Sequence, residues 1–403
     1  MSSTFSESII DALRLAGHRF HLGLGDPFTW SSDHLGLSLD TSASATGLTA
    51  TALAGVFLLF HFAYHRPGKR ALSIQPGSAN FATKDQTKMV QLVERPPDGS
   101  VKVSKILIHP IKHDRKWCII DAAANKVVTA RDTPRMVLIA PHIELDLNSP
   151  HGGALVITFP TDAPDGCTEF RVPLNPSPST LAEWDIIERI GLHASSVDGY
   201  IVQRLPEASF QSSNPELTAS EILSVYFGKP VHLMYKGPRA RPVRTTHAFP
   251  DLKATSVFQD MFPLLVLSEE SMEDVEREVR ERVGQQGVDE HWKEGKVHIR
   301  RFRPNIVFEG GGPFAEDNWE VVAIGRPDAP PITLVSKCGR CLLPNVSPDT
   351  GIRDAAVPFK MIMKFRTGID PDAMRTPCVG SNGVPAASGV VSVGDTVFVR
   401  KMV

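Results

Sequence analysis

The residues best suited to chemistry lie near position 340. Cys338-Gly339-Arg340-Cys341 puts two thiols in a CxxC spacing beside Lys337 and Arg340, in a chain of 403 residues with five cysteines. A thiolate is the nucleophile or metal ligand, and neighbouring positive charge favours it. The segment continues through Leu342-Leu343-Pro344-Asn345 to Ser347-Pro348-Asp349-Thr350-Gly351. Upstream, Arg301-Phe302-Arg303-Pro304-Asn305 leads into a β-branched run, and an arginine fork with a carboxamide suits phosphates and polar ring edges. A CxxC alone is compatible with zinc, with disulfide exchange and with packing. Structural zinc wants four ligands, usually two spaced pairs, and there is no second CxxC. An exchange site would open a helix, which Pro344 disfavours.

The elements that must position these groups can be read from the rest of the chain. The length implies two domains plus extra segments, and 42% hydrophobic with 22% charged residues is ordinary for a globular protein with a sizeable core. A net charge of −2 offers no basic face for nucleic acid. An odd number of scattered cysteines (118, 167, 338, 341 and 378) does not read as a disulfide framework. Residues 1–46 form a mixed-charge N-terminal extension. Residues 47–64, GLTATALAGVFLLFHFAY, carry no charge, and the run matches the roughly 17–25 residues of a single transmembrane helix. His65, Arg66, Lys69 and Arg70 follow at once, which would leave the bulk of the chain cytosolic. A buried helix of the extension is the alternative. A linker follows over 65–86.

From residue 87 the pattern is of short strands with turn residues between them. They include 101–108, then 117–120 and 126–131 as a hairpin, then 136–139, 142–147, 154–159 and 231–235. Helices are expected over 181–190 and 219–226, and a third after Ser268, whose Glu269 and Glu270 suit a first turn. The charges from Glu273 to Arg282 read as that helix's solvated face. Glu309-Gly310-Gly311-Gly312 reads as a turn. The fold class is α+β, mostly β.

Taken together, Phe302-Arg303-Pro304-Asn305, Ala315-Glu316-Asp317-Asn318-Trp319, Cys338-Gly339-Arg340-Cys341 with Ser347-Pro348-Asp349-Thr350-Gly351, and Val393-Gly394-Asp395-Thr396-Val397 resemble the MOSC domain family. Within it they resemble the mitochondrial amidoxime-reducing components and bacterial MOSC reductases. The resemblance implies an N-terminal β-barrel domain at 87–175 and a MOSC β-barrel domain with flanking helices at 176–403, with surface insertions over 160–220. It implies a molybdenum–molybdopterin cofactor with Cys341 as the metal ligand. Lys112, His113, Arg115, Arg303, Asn305, Gly339 and Arg340 would hold that cofactor, and Arg340 would favour the thiolate. Asp260 would hold a water or pass a proton. Two departures stand out: the chain passes directly from Lys112 through His113 to Asp114, and Met261-Phe262 replace two small hydroxyl residues after Asp260. The implied activity is reduction of N-hydroxylated compounds (amidoximes, hydroxylamines). Electrons would come from cytochrome b5 and NADH-cytochrome b5 reductase, at the cytosolic face of the mitochondrial outer membrane or of another membrane. The alternatives are a cofactor-binding or sulfur-carrying MOSC module without reductase turnover, and a cofactor-free membrane scaffold.

Overall fold

The computed structural model describes residues 20–22, 94–109, 116–193, 195–204, 210, 214 and 216–403. The apolar run 47–64, the linker 65–86, nearly all of the extension, and Lys112, His113 and Arg115 lie outside the described residues. Among the described residues no helix is long and apolar enough to cross a membrane.

Strands dominate. In chain order they are β1 (Phe20–Leu22), β2 (Lys102–Ile106), β3 (Trp117–Asp121), β4 (Lys126–Val127), β5 (Ala140–Leu145) and β6 (Gly153–Thr158). Next come β7 (Phe170–Pro173), β8 (Ile186–Leu192), β9 (Ser195–Ile201), β10 (Val231–Lys236), β11 (Arg241–Pro242), β12 (Thr255–Ser256) and β13 (Leu264–Ser268). The last six are β14 (Ile306–Glu309), β15 (Trp319–Ile324), β16 (Ile332–Gly339), β17 (Cys378–Pro385), β18 (Gly389–Val391) and β19 (Val397–Met402).

The first domain is a closed five-stranded barrel, ordered β10-β3-β4-β8-β9. The β3–β4 hairpin turns where expected, because Asp121 Oδ1 accepts from the Ala123 and Ala124 N–H groups and Asn125 takes the left-handed conformation. Residues 117–120 of β3 are buried on both faces. The two-residue period of a strand sends Cys118 and Ile120 inward to meet Val127, Ile190, Leu192, Val197 and Met234. Trp117 and Ile119 point outward into a second cluster with Leu155, Ile157, Phe170 and Tyr226, supplied by the three-stranded sheet β5-β6-β7 and the helix Ala219–Phe227. That helix starts as expected, since Thr218 and Glu221 form a reciprocal capping box.

Four expectations are corrected. Residues 136–139 do not form a strand: Pro134 opens a 3-10 turn through Leu138. The helix expected over 181–190 is only Pro178–Ala182, and Ile186 begins β8, which pairs along β9. Ser268 sits at the cap position of the helix Glu269–Arg280, but its hydroxyl donates to the buried carboxylate of Glu316 instead of capping. A boundary at residue 175 would cut the barrel, since β8, β9 and β10 follow it.

The second domain is built on a seven-stranded sheet, β19-β15-β16-β17-β13-β14-β2. Its edges meet: Val397 N–H donates to Val101 O at 2.9 Å, and Gly394 N–H to Val103 O at 2.8 Å. The curled sheet encloses Val101, Val103, Val266, Phe308, Trp319, Val322 and Val399. Strand β2, the first described strand after the extension, therefore belongs to this later sheet. The helices Glu269–Arg280 and Phe359–Phe365 cover its other side through Met272, Val275, Met361 and Ile362.

The segment Ala315–Trp319 is a buried structural node. Glu316 is fully buried and accepts from Ser268 Oγ at 2.9 Å and Ser271 Oγ at 3.2 Å, while Asp317 pairs with Arg366. Burial, reinforced by the charge of Asp317, pushes the Glu316 carboxyl up to about 7 from an ordinary 4.5. A carboxyl whose pKa is raised on folding lends stability that is full below its unfolded value and is lost as pH rises through its folded one. The protein is thus expected to lose stability between about pH 4.5 and 7 through this group. Glu316→Gln should flatten that loss and raise the urea midpoint above the parent's at pH 8. Equal midpoint shifts from pH 5 to pH 8 in both proteins would refute it.

Candidate functional site

Cys341 follows the last residue pair of β16, and its position is set by a bulge. Lys337 pairs with Ser381 and Gly339 with Cys378, so Val379 and Gly380 of β17 stand opposite the single residue Cys338. Gly380 has φ +78° and lies so close to β13 that a Cβ would come 2.6 Å from Val266 O. Arg340 fastens the bulge. Its Nε donates to Val379 O at 2.8 Å, its Nη1 to Phe302 O at 2.8 Å, and its Nη2 again to Val379 O. Its guanidinium also stacks over the Phe302 ring at 5.2 Å. Arg340 is therefore buried and committed to backbone carbonyls, which joins the Cys341 strand to the strand entry at Arg303.

The three neighbouring thiols differ. Burial pushes Cys378 up to about 12 and raises Cys338, with Arg340 only partly opposing the second shift. Cys341 is half-buried, and the Leu343 N–H donates to its Sγ at 3.5 Å.

The Leu343 side chain lines a cleft of about 400 Å³ between the two domains. One wall is apolar, from Ile119, Met136 to Ile139, and Pro160 of the first domain; the other carries Arg300, Arg301 and Arg303, with His109 nearby. Arg301 donates to Pro344 O and Asn345 O at 3.1 and 3.2 Å, tying it to the Cys341 loop. Its Nε is buried with no hydrogen-bond acceptor among the described residues, an orphaned donor in a cleft wall. Arg303 is held in the left-handed conformation at φ 56°. His109 Nε2 lies 3.2 Å from Pro304 O, so the segment after β2 rests against the Arg303 segment. Arg353 donates to Arg131 O, and Gly351 packs on Leu138 and Arg135, bringing the Ser347–Gly351 loop onto the first domain.

Not every expected site residue faces this cleft. The Asn305 side chain is buried, and its Oδ1 accepts the Leu265 N–H at 2.8 Å, which registers β14 beside β13. Gly339 is pressed against Thr376 and Ala373. Asp260 is not among the residues that line the cleft; its Oδ1 lies 2.8 Å from His193 Nε2. His193, Arg300, Arg301 and His109 were not singled out from sequence as site residues. Arg300 and Arg301 carried a signal, the basic run before Phe302; His193 had none.

A barrel and a curled sheet thus meet at a basic cleft beside the CxxC loop. Family models match accordingly: the MOSC N-terminal beta barrel domain at residues 100–188 and the MOSC domain at 253–398. The chain belongs to the MOSC family. Among its relatives, "Mitochondrial amidoxime-reducing component 1" of Homo sapiens is 28% identical over 295 residues, covering 71% of this chain and 72% of that protein. The Mus musculus protein of the same name is 29% identical over 292 residues, with 71% and 72% covered. "Molybdenum cofactor sulfurase" of Arabidopsis thaliana is 23% identical over 262 residues, covering 63% of this chain and 28% of that protein.

Proposed function

We propose that this chain is a molybdenum–molybdopterin oxidoreductase that reduces N-hydroxylated compounds such as amidoximes and hydroxylamines. The observation that carries the reading is the half-buried Cys341 sulfur, bonded to an amide whose side chain lines an arginine-walled cleft with an orphaned buried donor. That donor set fits the group: a single soft sulfur for the metal and fixed guanidinium forks for a phosphate monoester. When bound, the cofactor would supply two-electron oxygen-atom chemistry. Cys341 would ligate the metal, while Arg301, Arg303, Lys112 and Arg115 would hold the phosphate and pterin edge, with His113 beside them. Asn305, Gly339 and Arg340 would act by building the strand frame. Asp260 would hold a water or pass a proton on from it to the departing oxygen. The relatives named for amidoxime reduction support the substrate class.

Cytochrome b5 and its NADH-dependent reductase are the proposed electron donors. The run 47–64 is the proposed anchor, in the mitochondrial outer membrane with the domains facing the cytosol. The test is metal analysis of the purified protein followed by benzamidoxime turnover with that donor chain. Stoichiometric molybdenum with turnover is expected. Molybdenum without turnover would leave a cofactor-binding or sulfur-carrying module, and no molybdenum would leave a scaffold; either refutes the reductase.

A further inference from the structure

The loop that carries Asp260 is fixed by the other domain. Phe258 is fully buried and sits among Cys118, Ile120, Val127, Ile190, Leu192, Val197 and Met234, the interior of the first barrel. Arg241 grips the carbonyls on either side of it, through Nε to Val257 O at 2.9 Å and Nη2 to Gln259 O. Two residues past the plug, Asp260 Oδ1 lies 2.8 Å from His193 Nε2. His193 stands at the turn of the β8–β9 hairpin, two strands of the barrel wall, so its place is set by paired backbone and not by a loose loop. The turn is tight: His193 has φ 53°, which a residue with a Cβ adopts only where its surroundings require it, and Ser195 Oγ donates to Leu192 O at 2.9 Å. Each side chain of the pair is 30% exposed, so the contact adds little to folding and its value lies in direction.

We propose that His193 is a positioning residue: it orients the Asp260 carboxylate, so that the N-terminal barrel completes the reaction site of the MOSC domain. The inference rests on the reading that Asp260 serves the reaction. A hydrogen bond to one carboxylate oxygen restricts rotation about the terminal torsion, which is otherwise broad. A misplacement of about 1 Å at such a group can cost on the order of a hundredfold in rate.

The test uses the full chain with two substitutions. His193→Gly removes the side chain and suits the left-handed backbone, and His193→Gln restores an N–H donor of similar reach. His193→Gly is expected to lower kcat by roughly 10- to 100-fold with KM and molybdenum content unchanged, and His193→Gln to recover most of that loss. Parent kcat in His193→Gly, or a His193→Gln protein as slow as His193→Gly, would overturn the proposal. A second readout needs no turnover: in protein labelled with 15N-histidine, Asp260→Asn should move the His193 Nε2 resonance, and an unmoved resonance would overturn the pairing. Failure of the reductase reading appears instead as a parent protein that turns over no N-hydroxy substrate.

Discussion

Cys341→Ser is expected to lower reductase turnover by at least about a hundredfold, beyond the 10- to 100-fold that outer-shell changes at metal sites typically cost. It should also lower the molybdenum retained after purification, because an alcohol would replace the soft ligand proposed for the metal. The neighbouring Cys338→Ser should remain within a few fold of the parent, since burial raises that thiol's pKa and disfavours the thiolate. The contrast is the measurement. Equal losses in the two variants, or a Cys341→Ser protein with parental turnover, would remove Cys341 from the metal. Fold damage is not a competing account: Cys341 is half-buried, and its sulfur accepts a single long backbone contact.

Phe258→Ala should destabilise the protein by about 3–5 kcal/mol, the usual cost of truncating a fully buried aromatic. The residue is 0% exposed inside a closed barrel whose other walls are paired strands, so the space left by the ring cannot collapse easily. Because the same loop carries Asp260, turnover of the folded fraction should fall as well. Phe258→Leu, which keeps most of the volume, should restore the greater part of both. Denaturant titration with kcat measured well below the transition separates the two effects. A Phe258→Ala midpoint equal to the parent's would show that the loop is held by something other than the plug.

The motifs near residues 303 and 341 were legible because short-range rules governed them: a basic run, a proline-bounded strand entry and two thiols at fixed spacing. Most strands of the first barrel were legible too, through β-branched residues between turn formers. The errors fell where two patterns overlapped. Residues 181–190 carry helix-like spacing, yet Ile186, Ile187 and Ile190 are β-branched and find a partner strand in β9. Arg340 and Asn305 looked like ligand-binding groups by residue type, but both meet backbone groups of strands distant in sequence, which no local spacing announces.

The sequence by itself determined the residue types, the mostly-β composition and a CxxC loop beside a basic strand entry; these depend on neighbours a few positions apart. Only the tertiary structure decided how they are used. It set which thiols are buried and which half-buried, which arginine is committed to carbonyls, and that His193, 67 residues from Asp260, meets it at 2.8 Å. Such contacts are fixed by strand register and closure of the two sheets, and those follow from long-range pairing that a linear pattern does not encode.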